Sequence, residues 1–202
     1  FPWSISLTER QKLLNPYIGN KINLKEYIDY RYQESLSEVE ILDSDSPETA
    51  EKRKISHLTL NWFMQTLLDR SDRMAMYNGF ELRVPFCDYR LAQYVWNIPW
   101  EWKALKGREK GLLRYICKDF LPEDIIYRKK SPYPKTHNPT YLAKVKQMLT
   151  KIMEDKNAPI NDLLNHDYIL EILNTDGKAF SRPWFGQLMV GPQLMAYLCQ
   201  VN

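Results

Sequence analysis

The chain has 202 residues, of which 44% are hydrophobic and 13% aromatic, a composition typical of a globular domain with a sizeable core and not of a disordered chain. Its formal net charge of +3 is too small a basic excess for a dedicated nucleic-acid-binding protein. The well-separated Cys87, Cys117 and Cys199 predict neither a disulfide framework nor a metal site, and no apolar run has the length of a membrane helix, so we expect a soluble, cytoplasmic protein.

The first fifty residues contain one predicted helix, a polar and aromatic region, and a predicted acidic loop. The chain opens on Phe1-Pro2-Trp3 without an initiator methionine, and we expect it to be an interior piece of a longer protein. A helix is predicted from Thr8 to Leu14, ended by Asn15-Pro16, and a polar, aromatic region continues to Tyr32. Between Glu34 and Glu51 there are seven acids and no base, which predicts a solvated acidic loop.

A long helix is predicted to begin at Ser46-Pro47-Glu48, which supplies a hydroxyl cap, a proline at the first helical position and an acid near the positive end of the helix dipole. Asn78-Gly79 is predicted to end it. Apolar residues recur along it at helical spacing and predict a stripe buried against other elements. These residues are Ile55, Leu58, Trp62, Met64, Leu67 and Leu68.

The rest of the chain predicts further helices separated by proline-rich segments. Arg83-Val84-Pro85-Phe86 is predicted to be extended or turned, because proline disfavours the helical conformation in the residue before it. A short helix is predicted to be capped by Asp88 and to end near Val95, and a short turn is predicted from Pro122. Two amphipathic helices are predicted, one from Glu109 to Phe120 with Leu112, Leu113, Ile116 and Phe120 on one face, and one with Tyr141, Leu142, Val145, Met148, Leu149 and Ile152 on one face. The last predicted helices run from Leu163 to Leu173 and from Pro192 to Leu198. Tyr127 to Pro139 is predicted to be a loop. Since no convincing alternating strand pattern appears, the predicted fold class is mainly helical.

A basic, aromatic stretch is the strongest charge feature of the sequence. Residues 103–135 contain ten Lys or Arg and four acids, with tryptophans and tyrosines close by. This favours either nucleic acid or an anionic small molecule such as a nucleotide phosphate. A lysine in the loop Tyr127 to Ser131 could stabilise charge on a phosphoryl group, and a solvated basic loop is the alternative. No glycine-rich phosphate loop is present, and the three histidines are scattered.

Acids and arginines alternate around small and apolar residues between Asp69 and Asp88. We expect several of these charges to be partly buried and therefore paired. On their chemistry alone, a structural ion-pair network at a helix-to-loop corner is favoured over a catalytic site.

This same region resembles the asparagine synthetase family. Asp72-Arg73-Met74-Ala75-Met76 followed by Glu81-Leu82-Arg83-Val84-Pro85-Phe86-Cys87-Asp88 is similar to the family motif DRxxM…ExRxPFxD. Three more matches follow in the family's order: Lys110-Gly111-Leu112-Leu113-Arg114 (KxxLR), Leu121-Pro122 with Ile125-Ile126 (LPxxI), and Arg128-Lys129-Lys130 (RxK). Two departures are Cys87, where an aliphatic residue is usual, and Ser131-Pro132-Tyr133 after the last motif.

The resemblance implies a parent enzyme in which an amino-terminal cysteine hydrolyses glutamine and the released ammonia reaches a synthetase domain. There ATP and aspartate form β-aspartyl-AMP with loss of pyrophosphate, and ammonia displaces AMP. Since the family's Ser-Gly-Gly ATP loop is not in this sequence, residues 1–202 are expected to be the helical carboxy-terminal portion of the α/β adenine-nucleotide synthetase domain. The cofactors implied for the parent are ATP and Mg²⁺. No strong cofactor binding is expected of this chain alone, and a homodimer is a possible assembly.

The resemblance also assigns candidate roles to residues. Lys130 matches the family's active-site lysine, with an electrostatic role, and Glu81 matches the glutamate of its acidic-basic motif. Glu81, with Arg83 and Asp88, is expected to position that site or the interface around the ammonia route. Asp72 and Arg73 match the motif, and an ion pair that holds the corner is their alternative role.

Two other functions remain open from the sequence. A relative with the same fold could use adenylation to close a β-lactam or to amidate another carboxylate. Alternatively, a helical binding module could use the basic stretch to bind nucleic acid or an acidic partner.

Overall fold

The structure is a computed structural model that describes residues 7–130, 138–180 and 191–202. The chain divides into two compact units, a first unit formed by Phe1–Ser37 with Tyr133–Asn202, and a second unit formed by Glu38–Pro132. Across the described residues the regular structure is helical, apart from one isolated bridge between Leu14 and Leu164. The predicted mainly helical class is therefore confirmed. None of the described helices is both long enough and apolar enough to cross a membrane.

The helices of the described ranges are short to medium in length. The α-helices are α1 (Leu7–Leu13), α2 (Pro16–Gly19), α3 (Leu24–Ser37), α4 (Pro47–Leu58), α5 (Gln65–Tyr77), α6 (Tyr89–Trp96), α7 (Trp100–Lys103), α8 (Gly111–Ile116), α9 (Glu123–Ile126), α10 (Pro139–Glu154), α11 (His166–Asn174) and α12 (Pro192–Val201). A π-helical segment, Thr59–Met64, joins α4 to α5, and 3₁₀ turns occupy Pro85–Cys87, Leu105–Gly107, Cys117–Asp119 and Pro159–Asp162.

The first unit encloses a hydrophobic core between α1, α10, α11 and α12. Its fully buried side chains include Leu149 of α10, Ile169 and Ile172 of α11, and Leu194 of α12. Phe180, which follows α11, is 1% exposed within the same cluster. The predicted apolar face of α10 is confirmed except at Met148, which is 54% exposed.

Backbone hydrogen bonds attach the amino-terminal segment to this core. The Asn15 N–H donates to the Leu163 carbonyl at 2.7 Å, and the Asn165 N–H donates to the Leu13 carbonyl at 2.8 Å. Asn165 also caps α11 by accepting from the Tyr168 N–H. The predicted start of this helix at Leu163 was therefore early, because the chain forms a 3₁₀ turn before the asparagine cap at Asn165.

Helix α3 was not predicted, and its end corrects the predicted acidic loop. Glu34 lies in the last part of α3, where it is paired with Arg31 one turn earlier. The Ser35 hydroxyl donates to the Arg31 carbonyl at 2.8 Å. Such i,i+3 and i,i+4 contacts stabilise a helix whose apolar periodicity is weak, so irregular structure begins only after Ser37.

The second unit confirms the predicted helix boundaries but only part of the predicted burial. Ser46 accepts from the Thr49 N–H at 3.2 Å, Pro47 begins α4, and Gly79 has the positive φ of 75° expected after α5. However, α4, the π-helical segment and α5 contain no buried residue, and Ile55 is 60% exposed. The expected burial of the stripe is therefore only partly confirmed, since Leu58, Trp62, Met64, Leu67 and Leu68 are half-buried and Ile55 is exposed.

The remaining predictions in the second unit are partly confirmed. Asp88 caps α6, and Pro85–Cys87 forms the predicted turn. The helix predicted from Glu109 to Phe120 is shorter, since α8 ends at Ile116 and a 3₁₀ turn follows. Its predicted apolar face is not buried, and Phe120 is 79% exposed. The predicted loop from Tyr127 is non-helical to Lys130, and its residues 131–137 lie outside the described residues.

Candidate functional site

The acidic-basic motif forms local ion pairs on α5 and in the loop that follows it. The Arg73 Nε donates to Asp69 Oδ1 at 2.8 Å across one helical turn, and the Arg83 Nε donates to Glu81 Oε1 at 3.0 Å. The side chains of both pairs are between 60% and 81% exposed. Pairing is thus as predicted, but the expected partial burial is wrong for these two pairs.

Asp88 holds the end of this motif in two ways. It accepts the Arg90 backbone N–H at 2.9 Å as the cap of α6, and its carboxylate accepts a two-pronged contact from the Arg90 guanidinium at 3.0 and 2.7 Å. The side-chain bond from Arg90, followed by the backbone bond, lowers the pKa of the Asp88 carboxyl. Asp72 is exposed and forms no ion pair with the residues that the structure describes.

Lys130 lies four residues beyond the end of α9, in the non-helical segment after Tyr127. Its side chain is exposed, and within the described ranges it pairs with no carboxylate. None of the described contacts joins it to Glu81, Asp72 or Asp88. The structure therefore presents the candidate residues as local groups on separate elements of the second unit.

Arg114 fixes the segment that leads to Lys130. Its guanidinium donates to the Ile126 carbonyl, to the Glu109 carbonyl at 2.9 Å and to Glu109 Oε1 at 2.8 Å. Its side chain is only 17% exposed. Arg114 thus joins the start of α8 to the end of α9. The KxxLR motif contains this arginine, but sequence reasoning gave it no role, because a clamp on a main-chain carbonyl twelve residues away leaves no sequence pattern.

The start of α8 is unusually tight. A Cβ on Gly111 would lie 2.3 Å from the Leu105 nitrogen, so only glycine fits there. Lys110, just before it, adopts a left-handed conformation with φ of 57°. These two residues of the KxxLR motif hold the 3₁₀ turn Leu105–Gly107 against the helix start.

A second buried charge cluster was also missed. Arg53 donates from Nε and Nη2 to Asp45 at 2.7 and 3.3 Å, and the two side chains are 13% and 6% exposed. The bond from Arg53 lowers the pKa of Asp45. Nearby, Lys103 donates to the Trp96 carbonyl at 3.0 Å, and burial, together with the charge of Arg53, lowers its pKa. Asp45 belongs to the stretch that was predicted to be solvated. Its pairing with Arg53 was missed because the two residues are not at a helical spacing.

Among the residues that the structure describes, no group of three or more His, Cys, Asp or Glu side chains could hold a metal ion. The free cysteines include Cys87, whose thiol lies 3.5 Å from the Met64 sulfur.

Comparison with known proteins decides the family. The family model described as asparagine synthase matches residues 1–197. This chain belongs to the asparagine synthase family. The resemblance seen in the motifs between Asp72 and Lys130 is therefore confirmed, and with it the placement of this helical chain in an adenine-nucleotide type of synthetase.

Curated relatives in this family are named glutamine-hydrolysing asparagine synthetases. Asparagine synthetase 3 of Bacillus subtilis (strain 168) is 48% identical over 202 residues, which is all of this chain and 33% of that protein. Asparagine synthetase 1 of the same organism is 28% identical over 178 residues, covering 83% of the chain and 28% of that protein. The asparagine synthetase of Mesocricetus auratus is 35% identical over 113 residues, 54% of the chain and 19% of that protein. The chain thus spans a third or less of the length of these relatives.

Proposed function

We propose that this chain is the carboxy-terminal helical portion of an ATP-dependent asparagine synthetase of the cytoplasm. The observation that carries the proposal is the 48% identity along the whole chain to a protein named as a glutamine-hydrolysing asparagine synthetase. In this proposal aspartate and ATP form β-aspartyl-AMP and pyrophosphate, and ammonia from glutamine then displaces AMP. ATP and Mg²⁺ are the proposed cofactors of the whole enzyme, and aspartate and ammonia its other reactants.

Lys130 has the properties needed to stabilise a developing negative charge. Its ammonium has no carboxylate partner in the described part of the chain, so its charge is not already neutralised. The segment that carries it follows α9, whose last carbonyl, that of Ile126, is held by Arg114. A positioned cation of this kind lowers the barrier to reactions that gather charge on phosphoryl oxygens.

The acidic-basic motif is proposed to position the reactants rather than to transfer protons. Glu81 and Asp88 are each already in contact with an arginine, and hydrogen bonding lowers the pKa of Asp88. A carboxylate with a lowered pKa is a weak base, which suits a group that orients cations or substrate amines. Arg83 and Arg90 keep these carboxylates oriented.

The decisive experiment is Lys130→Ala in the full-length enzyme. Removing a positioned charge is expected to lower asparagine synthesis by a factor of about 10² to 10³ or more, while glutamine hydrolysis remains measurable. Both half-reactions should be followed at steady state. Lys129→Ala is the matched control, since it removes a neighbouring exposed lysine and should leave synthesis within a few-fold. Near-normal synthesis by Lys130→Ala would contradict the proposed role.

The chain by itself is proposed to be inactive. A mixture of this chain, aspartate, ATP and Mg²⁺ should release no pyrophosphate above the rate without protein. Robust ATP-dependent release would show that the 202 residues contain a nucleotide site, and it would overturn this part of the proposal.

A further inference from the structure

The basic stretch predicted from the sequence surrounds a cleft in the second unit that the proposed synthetase reaction does not use. The cleft has a volume of about 350 Å³, within the range of small-molecule sites. Four cationic side chains and one acidic side chain line it: Lys106, Arg108, Arg114, Lys118 and Glu123. Lys130, the proposed active-site lysine, is not part of this lining.

The positive charge of the cleft is largely uncompensated. Arg114 is paired with Glu109 at 2.8 Å. Lys106, Arg108 and Lys118 form no salt bridge among the residues that the structure describes, although the charge of Arg108 is one of the smaller causes that lower the pKa of Glu109. Three cations that face one cleft repel each other, and a bound anion would relieve that repulsion.

Two tyrosine rings orient these cations without neutralising them. The Arg108 guanidinium lies 5.1 Å from the ring centroid of Tyr127, and the Lys118 Nζ lies 5.4 Å from that of Tyr115. Such contacts attract a cation to the ring face but leave its hydrogen-bond donors available. Arg108 and Lys118 can therefore donate to a ligand without first breaking an ion pair.

The backbone beneath the cleft is held in a narrow geometry. Gly111 contacts the Leu105 backbone so closely that no larger residue fits, and Lys106 has a positive φ of 60°. Arg114 joins α8 to the carbonyl of Ile126. A cation cluster on a fixed frame loses less conformational freedom on binding than the same cations on a flexible loop.

We propose that this cleft binds a small polyanion of the phosphate type. Arg108 has the planar donor array that matches a phosphate oxygen pair, and Lys106 and Lys118, which line the same cleft, act as point charges. The cations lining the cleft outnumber the one acid among its described lining residues, Glu123, so each additional negative charge on a ligand gains more attraction than repulsion. This favours a ligand with at least two negative charges. A compact cleft with converging cations favours a small anion over nucleic acid, which is bound along an extended basic track.

The test is a calorimetric titration of the 202-residue chain with inorganic diphosphate at constant ionic strength. The double variant Lys106→Ala/Lys118→Ala should weaken binding about tenfold or more. Lys151→Ala is the control, since it removes an exposed charge from α10 and should leave the affinity unchanged. Circular dichroism verifies that each variant keeps its helices.

A second variant protects the test from a folding defect. Glu123→Gln removes the one acid among the described residues that line the cleft, and it should tighten diphosphate binding about threefold because a repulsive charge is lost. A folding defect could only weaken binding. The proposed anion site would be overturned if Lys151→Ala weakened diphosphate binding as much as the double variant does. It would also be overturned if the double variant had no effect on the affinity, or if Glu123→Gln did not tighten binding. A single-stranded oligonucleotide that binds more tightly than diphosphate and is displaced by moderate salt would overturn it in favour of a nucleic-acid surface. None of these results bears on Lys130.

Discussion

The two units of the chain distribute their apolar residues differently between interior and surface. Of the fifteen buried hydrophobic residues in the described ranges, fourteen lie in the first unit, and Ile126 is the one in the second. Of the exposed large hydrophobic side chains in the same ranges, eight lie in the first unit and twenty-three in the second. Tyr77, Phe80 and Phe120, all at least 70% exposed, are examples from the second unit.

This contrast separates the local features of a helix, its caps and turns, from the burial of its apolar face, which depends on tertiary packing. Caps and turns are local, and the second unit has them at Ser46, Gly79 and Asp88. Complete burial of an apolar stripe needs a second element packed along it, and in the described part of the second unit the stripe of α4 and α5 is half-buried at most. Large exposed apolar areas usually mark surfaces of interaction. The homodimer expected from the sequence stays a prediction.

The largest expected effect comes from the core of the first unit. Phe180→Ala should lower the free energy of unfolding by about 3–5 kcal/mol, because it leaves a cavity at a side chain that is 1% exposed. Phe120→Ala, the same substitution at a 79% exposed position of the second unit, should change it by no more than about 0.5 kcal/mol. Urea denaturation followed by circular dichroism measures both. A comparable loss in Phe120→Ala would show that this face is covered in solution.

Arg114→Met tests whether the second unit depends on a polar clamp in place of a core. The substitution keeps most of the side-chain bulk but leaves the carbonyls of Ile126 and Glu109 without this donor, at a cost of about 1–3 kcal/mol. Arg73→Met is the control, because its ion pair with Asp69 is exposed and should contribute no more than about 1 kcal/mol. Denaturation of the two variants under one set of conditions gives the comparison. Equal losses of unfolding free energy would mean that the Arg114 hydrogen bonds stabilise the second unit no more than an exposed ion pair does.

Capping should contribute similarly in the two units, because it is local. Ser46→Ala in the second unit and Asn138→Ala in the first should each cost about 1 kcal/mol, since each removes the acceptor for a helix N–H. Ser46→Asp should restore most of the loss. If Ser46→Ala were much the less costly of the two, α4 would be frayed in solution, and the difference between the units would extend to their local structure.

The sequence predicted those features of the fold that depend on neighbouring residues. The start of α4 at Ser46-Pro47, its continuation to α5 and the cap at Asp88 all follow from residues within one helical turn. The apolar face of α10 was predicted from the spacing of its apolar residues, and it is buried because its partners lie in the same unit. Helix α3 was missed because side-chain contacts such as Arg31 with Glu34 support it instead of a clear apolar period.

In the candidate site, too, the sequence predicted the local features and missed those that depend on tertiary packing. Motif order from Asp72 to Lys130 was enough to predict the family, and the pairing of acids with arginines was also predicted. The burial of those charges was predicted wrongly, because exposure depends on packing that no local pattern encodes. Arg114 was given no role for the related reason that its acceptor, the Ile126 carbonyl, is a main-chain group that every residue possesses.

The last prediction concerns a polar group at the edge of the first unit's core. The Tyr168 hydroxyl donates to Glu9 Oε2 at 3.2 Å, and burial, followed by the charge of Glu9, raises the pKa of Tyr168 to about 12. The unfolded chain has a tyrosine pKa of about 10. The folded state therefore holds this proton more tightly. The resulting stability is fully present below pH 10 or so and is lost as the pH rises through about 12.

An alkaline titration followed by phenolate absorbance measures this shift directly. Tyr168→Phe should remove a late phase near pH 12, and Glu9→Gln should move that phase to lower pH without abolishing the shift, because burial is its larger cause. In the folded protein, a late phase that is unchanged by Tyr168→Phe would refute the assignment. It would also weaken the contrast between the units, because the interior of the first unit would then exclude water less well than its buried side chains indicate.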